Sequence, residues 1–419
     1  MEYNSSVEKF RDDEYLNMSQ DPRVLGADPK HFDLVFVANA TAAIKLIADG
    51  FRDLGEKTQD KSFWYGYHRE AHTSIILERW LEYPANSTVR NSKSTGLGLF
   101  AYPGQSNLSG RRLPKAWLRR IREHPQTRNT YTLFDAAALA MTSSLGSLFN
   151  DPNDAPDFTC LSLYKTFGFP DLGALVLRRA SGHVLNLRRY FGGGTVAQLF
   201  PLNGDRRVAK KIPGLGGQYD MWNIHDGLED GTLPFHSILA LGLAIDTHLR
   251  LYGSMDVISR HCNYLARTLY KSLVALIYPN GAPVVEVYVD DPTMYGDPSR
   301  QGATFAFNVM RQDGTYVPWT DVERLPTTPV FISEQEALEY EEWEWNRMFS
   351  SGHACGANEM AIISRRPTGI VRASLGGMTT KANVHALLLF LHNEFIAEAS
   401  EAQVPSLLES SRETLRLPL

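Results

Sequence analysis

From Phe32 onward, short runs of β-branched and aromatic residues alternate with stretches of helical periodicity, and this alternation leaves few folds open. Residues 33–37 lead into 42–48, 62–65 into 73–81, 98–102 into 115–123, and 131–134 into 136–145. Parallel neighbours need a crossover of about a dozen residues or more, usually a helix, and such helices cover both faces of the sheet. The pattern predicts an α/β domain with a mainly parallel sheet. Beyond residue 232 it changes. Helical stretches at 233–251 and 255–276 precede strand-like runs at 283–289 and 302–310, a helical pattern at 332–349, a strand at 369–375 and a helix at 380–399. These predict a smaller α+β domain. The expected organisation is an N-terminal extension over 1–30, a large domain over 31–255, a small domain with its connecting helix over 256–400, and a polar tail over 401–419.

Composition narrows the function classes. A net charge of −5 with no basic run gives no footing for nucleic acid. The longest apolar stretch, 386–391, is far too short to cross a bilayer, and the polar start Met1-Glu2-Tyr3-Asn4 lacks the apolar segment of a secretory signal. Three widely spaced cysteines, Cys160, Cys262 and Cys355, make neither a disulfide framework nor a zinc-ligand spacing. A reducing, cytoplasmic setting is the expectation.

The residues with chemical potential stand at the ends of the expected strands. Lys165 closes the apolar run 158–164 and precedes Thr166-Phe167-Gly168-Phe169-Pro170, which stops any regular element. A lysine at the mouth of a buried strand pair is expected to have a lowered pKa, and the neutral amine condenses with carbonyl groups. Alone, it reads equally as a surface lysine after a strand. The run Val37-Ala38-Asn39-Ala40-Thr41-Ala42 lies between a strand and a helix, where free amides and the helix dipole favour a phosphate. Plain helix capping is the alternative there. Ser162 and Tyr164 could add phosphate donors. Asp135 ends the strand over 131–134, at the position where a carboxylate would keep a pyridine nitrogen protonated, or simply cap the next helix. His72 could stack on a planar ring or move protons, and Asn107 could donate to a phenolate oxygen. A cap and a turn are their ordinary roles. Together these residue types suit pyridoxal phosphate.

Four segments then carry a family resemblance: Ser162-Leu163-Tyr164-Lys165-Thr166-Phe167-Gly168-Phe169-Pro170, Tyr190-Phe191-Gly192-Gly193-Gly194-Thr195-Val196, Glu229-Asp230-Gly231-Thr232-Leu233-Pro234-Phe235, and Pro367-Thr368-Gly369-Ile370-Val371-Arg372-Ala373-Ser374-Leu375-Gly376. Over most of residues 30–395 the chain resembles the amino-terminal domain of molybdenum cofactor sulfurases, within the class V aminotransferase and cysteine desulfurase group. The resemblance implies pyridoxal-phosphate transferase fold type I, a small-molecule amino-acid substrate and a homodimer. It also implies that Lys165 carries the cofactor covalently, that His72 stacks on its ring, that Asp135 pairs with the ring nitrogen and that Asn107 reaches the ring oxygen. Ala40, Thr41, Ser162 and Tyr164 would hold the phosphate, Thr232 would reach the phosphate of the neighbouring subunit, and Arg372 would clamp the substrate carboxylate.

The family pattern differs from this chain in three places. Its Asp-His-Ala-Gly-like strand ahead of the first phosphate motif has no counterpart before residue 38. Its sulfur-accepting cysteine precedes a Gly-His-x-Cys segment, present here as Gly352-His353-Ala354-Cys355, but Pro329-Val330-Phe331-Ile332-Ser333-Glu334-Gln335 carries no cysteine. Its carboxy-terminal cofactor-handling domain is not found before Leu419. The expectation is a pyridoxal-phosphate enzyme that forms little alanine from cysteine unless Cys355 carries the sulfur. Another reaction on the same scaffold (C–S lysis, aminotransfer or decarboxylation) and a non-catalytic homologue stand as alternatives.

Overall fold

The computed structural model describes residues 12, 24–58, 63–75, 97–202, 205–213, 222–324, 332–336 and 360–396. By its internal contacts the chain divides into two compact units. The first spans Met1–Asn263 with Asp297–Gly302; the second comprises Tyr264–Gly296 and Ala303–Leu419.

The first unit is built on a six-stranded sheet of β1 (Phe32–Val37), β2 (Trp64–Tyr67), β3 (Gly98–Pro103), β4 (Thr130–Asp135), β5 (Phe158–Ser162) and β6 (Gly173–Arg178), in the order β1-β6-β5-β4-β3-β2. β2, β3, β4 and β5 pair in parallel. β6 pairs antiparallel with both β5 and β1, so five strands share one direction and β6 alone opposes them. The reason is local. Only residues 163–172 link β5 to β6, too few for a crossover, and Gly168 turns the chain at φ 79°.

Period-2 alternation sends side chains into two cores. Phe32, Leu34 and Phe36 of β1, Phe134, Leu161, Ala174 and Val176 pack on one face, with Ile238, Leu241 and Ile245 of helix Phe235–Tyr252. Val35, Leu133, Phe158, Cys160, Leu175 and Leu177 pack on the other, with Ile44, Ile47 and Phe51 of helix α1 (Ala40–Gly55). Val24, Leu25 and Ala27 join the first core. An antiparallel ribbon, β7 (Val196–Leu202) with β8 (Asp205–Lys210), completes this unit's strands among the described residues.

The second unit holds an antiparallel sheet of β9 (Val285–Tyr288), β10 (Thr304–Val309), β11 (Ile332–Glu336) and β14 (Gly369–Ser374), ordered β11-β14-β10-β9. The short pair β12 (Ile362–Ile363) and β13 (Arg366–Pro367) precedes β14, and the helix Lys381–Phe395 follows it.

Four elements differ from the sequence reading. The helix expected over 136–145 is a single tight turn, Leu139–Met141. Ala136, Ala137, Leu139, Ala140 and Leu145 are all buried, and Thr142-Ser143-Ser144 offers hydroxyls that compete for backbone hydrogen bonds. The helical pattern over 332–349 begins instead as strand β11, because pairing Ile332 with Ala373 and Glu336 with Gly369 outweighs helical periodicity. Residues 337–349 lie outside the described residues. β2 starts at Trp64, two residues late, and of the helix expected over 73–81 only Thr73–Ile75 is described, as a 3-10 turn.

Phe51 is fully buried and its ring meets those of Phe63, Tyr131 and Phe158. Phe51→Ala should cost about 3–5 kcal/mol of unfolding free energy; a urea midpoint unchanged from the parent would show that α1 does not anchor this core.

Candidate active site

Because β1 to β5 run the same way, their carboxyl ends lie along one edge of the sheet, and the sequence-derived candidates follow those ends. Ala40 and Thr41 come after β1, His72 after β2, Asn107 after β3, Asp135 closes β4, and Ser162 closes β5 just ahead of Tyr164 and Lys165. Ligands in open α/β sheets bind along this edge.

At β1 the loop into α1 is held by its own side chains and by its neighbours. Asn39 is the helix N-cap, its Oδ1 accepting from the Ala42 amide at 3.0 Å. The Ala40 amide donates to Ser162 Oγ at 3.1 Å, tying the loop to the end of β5. Between them lies the first residue of β6, Gly173, paired with Val37 on one side and Ser162 on the other. A Cβ on Gly173 would stand 2.5 Å from Asn39 Cα, so only glycine lets this loop settle on the sheet edge.

His72 is oriented from the same corner. Its Nδ1 accepts from the Ser74 amide at 3.1 Å, and Ser74 Oγ lies 2.9 Å from Nδ1 and 2.8 Å from Thr41 Oγ1. A backbone N–H can only donate, so Nδ1 is the acceptor and the neutral ring carries its proton on Nε2. Two residues back, Glu70 bonds Ser109 Oγ at 3.3 Å and Arg111 Nη1 at 3.2 Å. The loop bearing His72 is thereby fastened to the turn bearing Asn107, which is half-buried.

Asp135 is buried, with its Oδ1 accepting from the Ala137 amide at 2.9 Å. Burial pushes this carboxyl above the usual carboxylate range. The Ala137 amide, a protonated His72 and the charge of Lys165 pull it back. The carboxylate, the imidazole and the ammonium thus act on one another. Lys165 departs from expectation: it is exposed, on the short helix Leu163–Phe167 that reverses the chain between β5 and β6, and not buried at a strand mouth. The antiparallel turn lifts it off the sheet edge.

Thr232 and Arg372 come from other elements. Thr232 is exposed, at the end of a segment that runs beside edge strand β1. His225 bonds Asp33 through its amide and ring, and Glu229 Oε1 accepts from the Phe36 amide at 2.9 Å. The Gly194 amide donates to Asp230 O at 2.7 Å, Gly193 adopts φ 56° with its Cβ position 2.3 Å from Asp230 O, and a Cβ on Gly194 would stand 2.9 Å from Glu229 O, so glycine is required at 193 and 194. Arg372 belongs to the second unit, on β14 opposite Ala306 and Ser333; it is half-buried, and burial lowers its pKa. Cys160 and Cys262 are both buried, their thiols pushed up by burial, Cys262 to about 11, and Cys355 lies outside the described residues. Among the described residues no His, Cys, Asp and Glu cluster could hold a metal ion, and no helix is long and apolar enough to cross a membrane.

Glu70, Ser74 and Gly173 escaped the sequence reading. A glycine opening an apolar strand was a signal of close backbone approach; Glu70 carried none, since its partners lie 39 and 41 residues away.

The raised Asp135 pKa has a stability consequence. In protein stripped of small molecules, its contribution is present below the unfolded carboxylate pKa and is lost as pH rises through the higher folded value. Asp135→Asn should therefore gain stability relative to the parent between acid and neutral pH. Urea midpoints that differ by the same amount at every pH would contradict this.

No family model matches the chain. It is 42% identical over 406 residues to the molybdenum cofactor sulfurase of Aspergillus clavatus, covering 91% of this chain and 46% of that protein. It is 43% identical over 399 residues to the molybdenum cofactor sulfurase of Botryotinia fuckeliana, covering 88% and 46%. Among solved structures, the cysteine desulfurase of Thermococcus onnurineus superimposes with a TM-score of 0.59 at 16% identity, over 92% of this chain and 83% of that one. The chain spans about half the length of the curated relatives it matches. It is a homologue of the fungal molybdenum cofactor sulfurases over that span, and its fold is the pyridoxal-phosphate transferase type I fold of the NifS-like cysteine desulfurases.

Proposed function

We propose that this chain is a pyridoxal-phosphate enzyme acting on an amino acid and working as a homodimer. The observation that carries the reading is the arrangement of charge along one sheet edge. Helix amides and the Ser162 hydroxyl gather at the β1 corner, a buried carboxylate stands on β4, and Lys165 and His72 both act on that carboxylate. This donor set fits a planar ligand that is anionic at one end and protonated at the other. A ring cation beside Asp135 would offset the charge that burial leaves costly. When bound, the cofactor would supply an electron sink for a substrate carbanion. Ala40, Thr41, Ser162 and Tyr164 would hold its phosphate, Asn107 its ring oxygen and His72 its ring face. Lys165 would bind it covalently and, once released by substrate, shuttle a proton. Exposure suits that exchange, since the amine must reach both cofactor and substrate. Arg372 would take the substrate carboxylate through its planar fork.

Cysteine is the substrate suggested by the relatives, and neither Cys160 nor Cys262 suits a sulfur acceptor: both are buried, and burial pushes their thiols up. That leaves Cys355, or an acceptor outside this chain. Alanine release from L-cysteine that disappears in Cys355→Ser would assign the role to Cys355. The dimer reading rests on the exposure of Thr232 and on the β7–β8 ribbon, which presents Leu199 and Phe200 from β7 and Val208 from β8 to solvent, although two strands alone are marginally stable.

Protein loaded with pyridoxal phosphate should absorb in the visible, and borohydride should fix the label on the Lys165 peptide, with none in Lys165→Ala. Recovery of an unmodified Lys165 peptide after reduction would sink the assignment. Thr232→Ala should weaken cofactor retention by about 1.5–3 kcal/mol, the worth of a hydrogen bond to a charged group, without loss of fold. A cofactor-loaded monomer in sedimentation would exclude the shared site.

A further inference from the structure

The opposite edge of the first unit's sheet holds a second feature that the proposed chemistry leaves unused. β1 and β5 begin there and β6 ends there, so the feature is separated from the candidate active site by the length of a strand, roughly 17–20 Å. A cavity of about 480 Å³ opens at this edge, lined by Lys30 and His31 ahead of β1, Pro152 and Asn153 ahead of β5, and Arg178, Arg179 and Ala180 at the end of β6. Among the described residues no acidic side chain lines it.

At the rim Asp28 accepts from the Lys30 amide at 2.9 Å, Asp151 from the Asn153 amide at 2.8 Å and Asp154 from Arg119 Nε at 2.6 Å, while two further acids lie beneath. Asp157 Oδ2 accepts from the Thr132 amide and hydroxyl, both at 2.9 Å, while Oδ1 accepts from Ser181 Oγ at 2.6 Å and Arg178 Nη1 at 3.1 Å. Asp33, fully buried, is bonded by the His225 amide and ring, with Arg179 Nη2 3.9 Å away. Arg179 is held in place by donating Nε to Pro29 O at 2.7 Å, and Arg122 Nη2 donates to Ala155 O at 2.8 Å below the rim. The result is a wall of fixed guanidinium groups with an exposed lysine at its mouth.

We propose that this cavity binds a phosphorylated small molecule, its phosphate received by Lys30 and the outer face of Arg179, at a site separate from the cofactor edge. Size agrees, since small-molecule sites run from about 300 to 1,000 Å³. Chemistry agrees too: a preset guanidinium fork and a mobile ammonium form the donor pair that phosphate oxygens take. With the carboxylates satisfied underneath, the lining presents Lys30 and the outer face of Arg179 to whatever enters, while Arg178 stays paired with Asp157.

The test is titration of the full chain with inorganic phosphate and pyrophosphate, read by calorimetry at two ionic strengths, with citrate separating phosphate from carboxylate recognition. Saturable phosphate binding that weakens with salt, falls at least tenfold in both Lys30→Gln and Arg179→Gln, and persists in Ser162→Ala supports the site. Lys30 is exposed, so Lys30→Gln decides the matter if Arg179→Gln fails to fold. Absence of saturable binding, binding indifferent to Lys30→Gln, citrate bound more tightly than phosphate, or binding lost only in Ser162→Ala would overturn it. The last outcome would place the anion at the other edge.

Discussion

A strand that runs the wrong way organises the first unit. β6 lies between β1 and β5 and opposes both, so its first residue stands at the same edge as their last ones. At that point Gly173 separates Val37 from Ser162, and its missing side chain lets the β1 loop rest against the sheet. The Ala40 amide then reaches Ser162 Oγ, which joins the start of α1 to the end of β5 across 122 residues of sequence. From Thr41 the same corner orients Ser74 and His72. A parallel β6 would have carried its first residue, and this loop contact with it, to the other edge.

The second constraint is electrostatic. Asp135 is buried where, among the described residues, one amide and the charges of His72 and Lys165 offset the cost. A fold evolved for stability alone gains little from such a carboxylate. A site that receives a cation gains a great deal, because the cost is then offset by a partner held in low dielectric. The unfavourable burial and the proposed cofactor are therefore two views of one arrangement. The same logic separates the two edges of the sheet. Along the edge proposed for the cofactor stands the buried Asp135, while at the opposite edge Asp157 and Asp33 are bonded beneath and Lys30 is exposed.

How much of this could be read beforehand depended on the range of the interactions. Strand-then-helix alternation rests on local periodicity, and it located β1, β3, β4 and the helix α1, while the apolar run before Lys165 marked β5. Asp135 and Ser162 were readable as residues that end apolar runs. The run over 136–145 misled, because a segment buried on all sides has no polar face to reveal its conformation, and its hydroxyls end the turn early. The run over 332–336 misled for a different reason: its partner strand is more than thirty residues downstream.

By itself the amino-acid order determined that this chain folds as an α/β sheet with polar residues at its strand ends, since those features follow from propensity and spacing along the chain. Only the tertiary structure decided that the β1 loop rests on Gly173 and Ser162, that Glu70 joins the loops of His72 and Asn107, and that cations gather at the far edge. Each of these depends on which distant segments become neighbours, and that is settled by packing across the sheet, which local sequence does not encode.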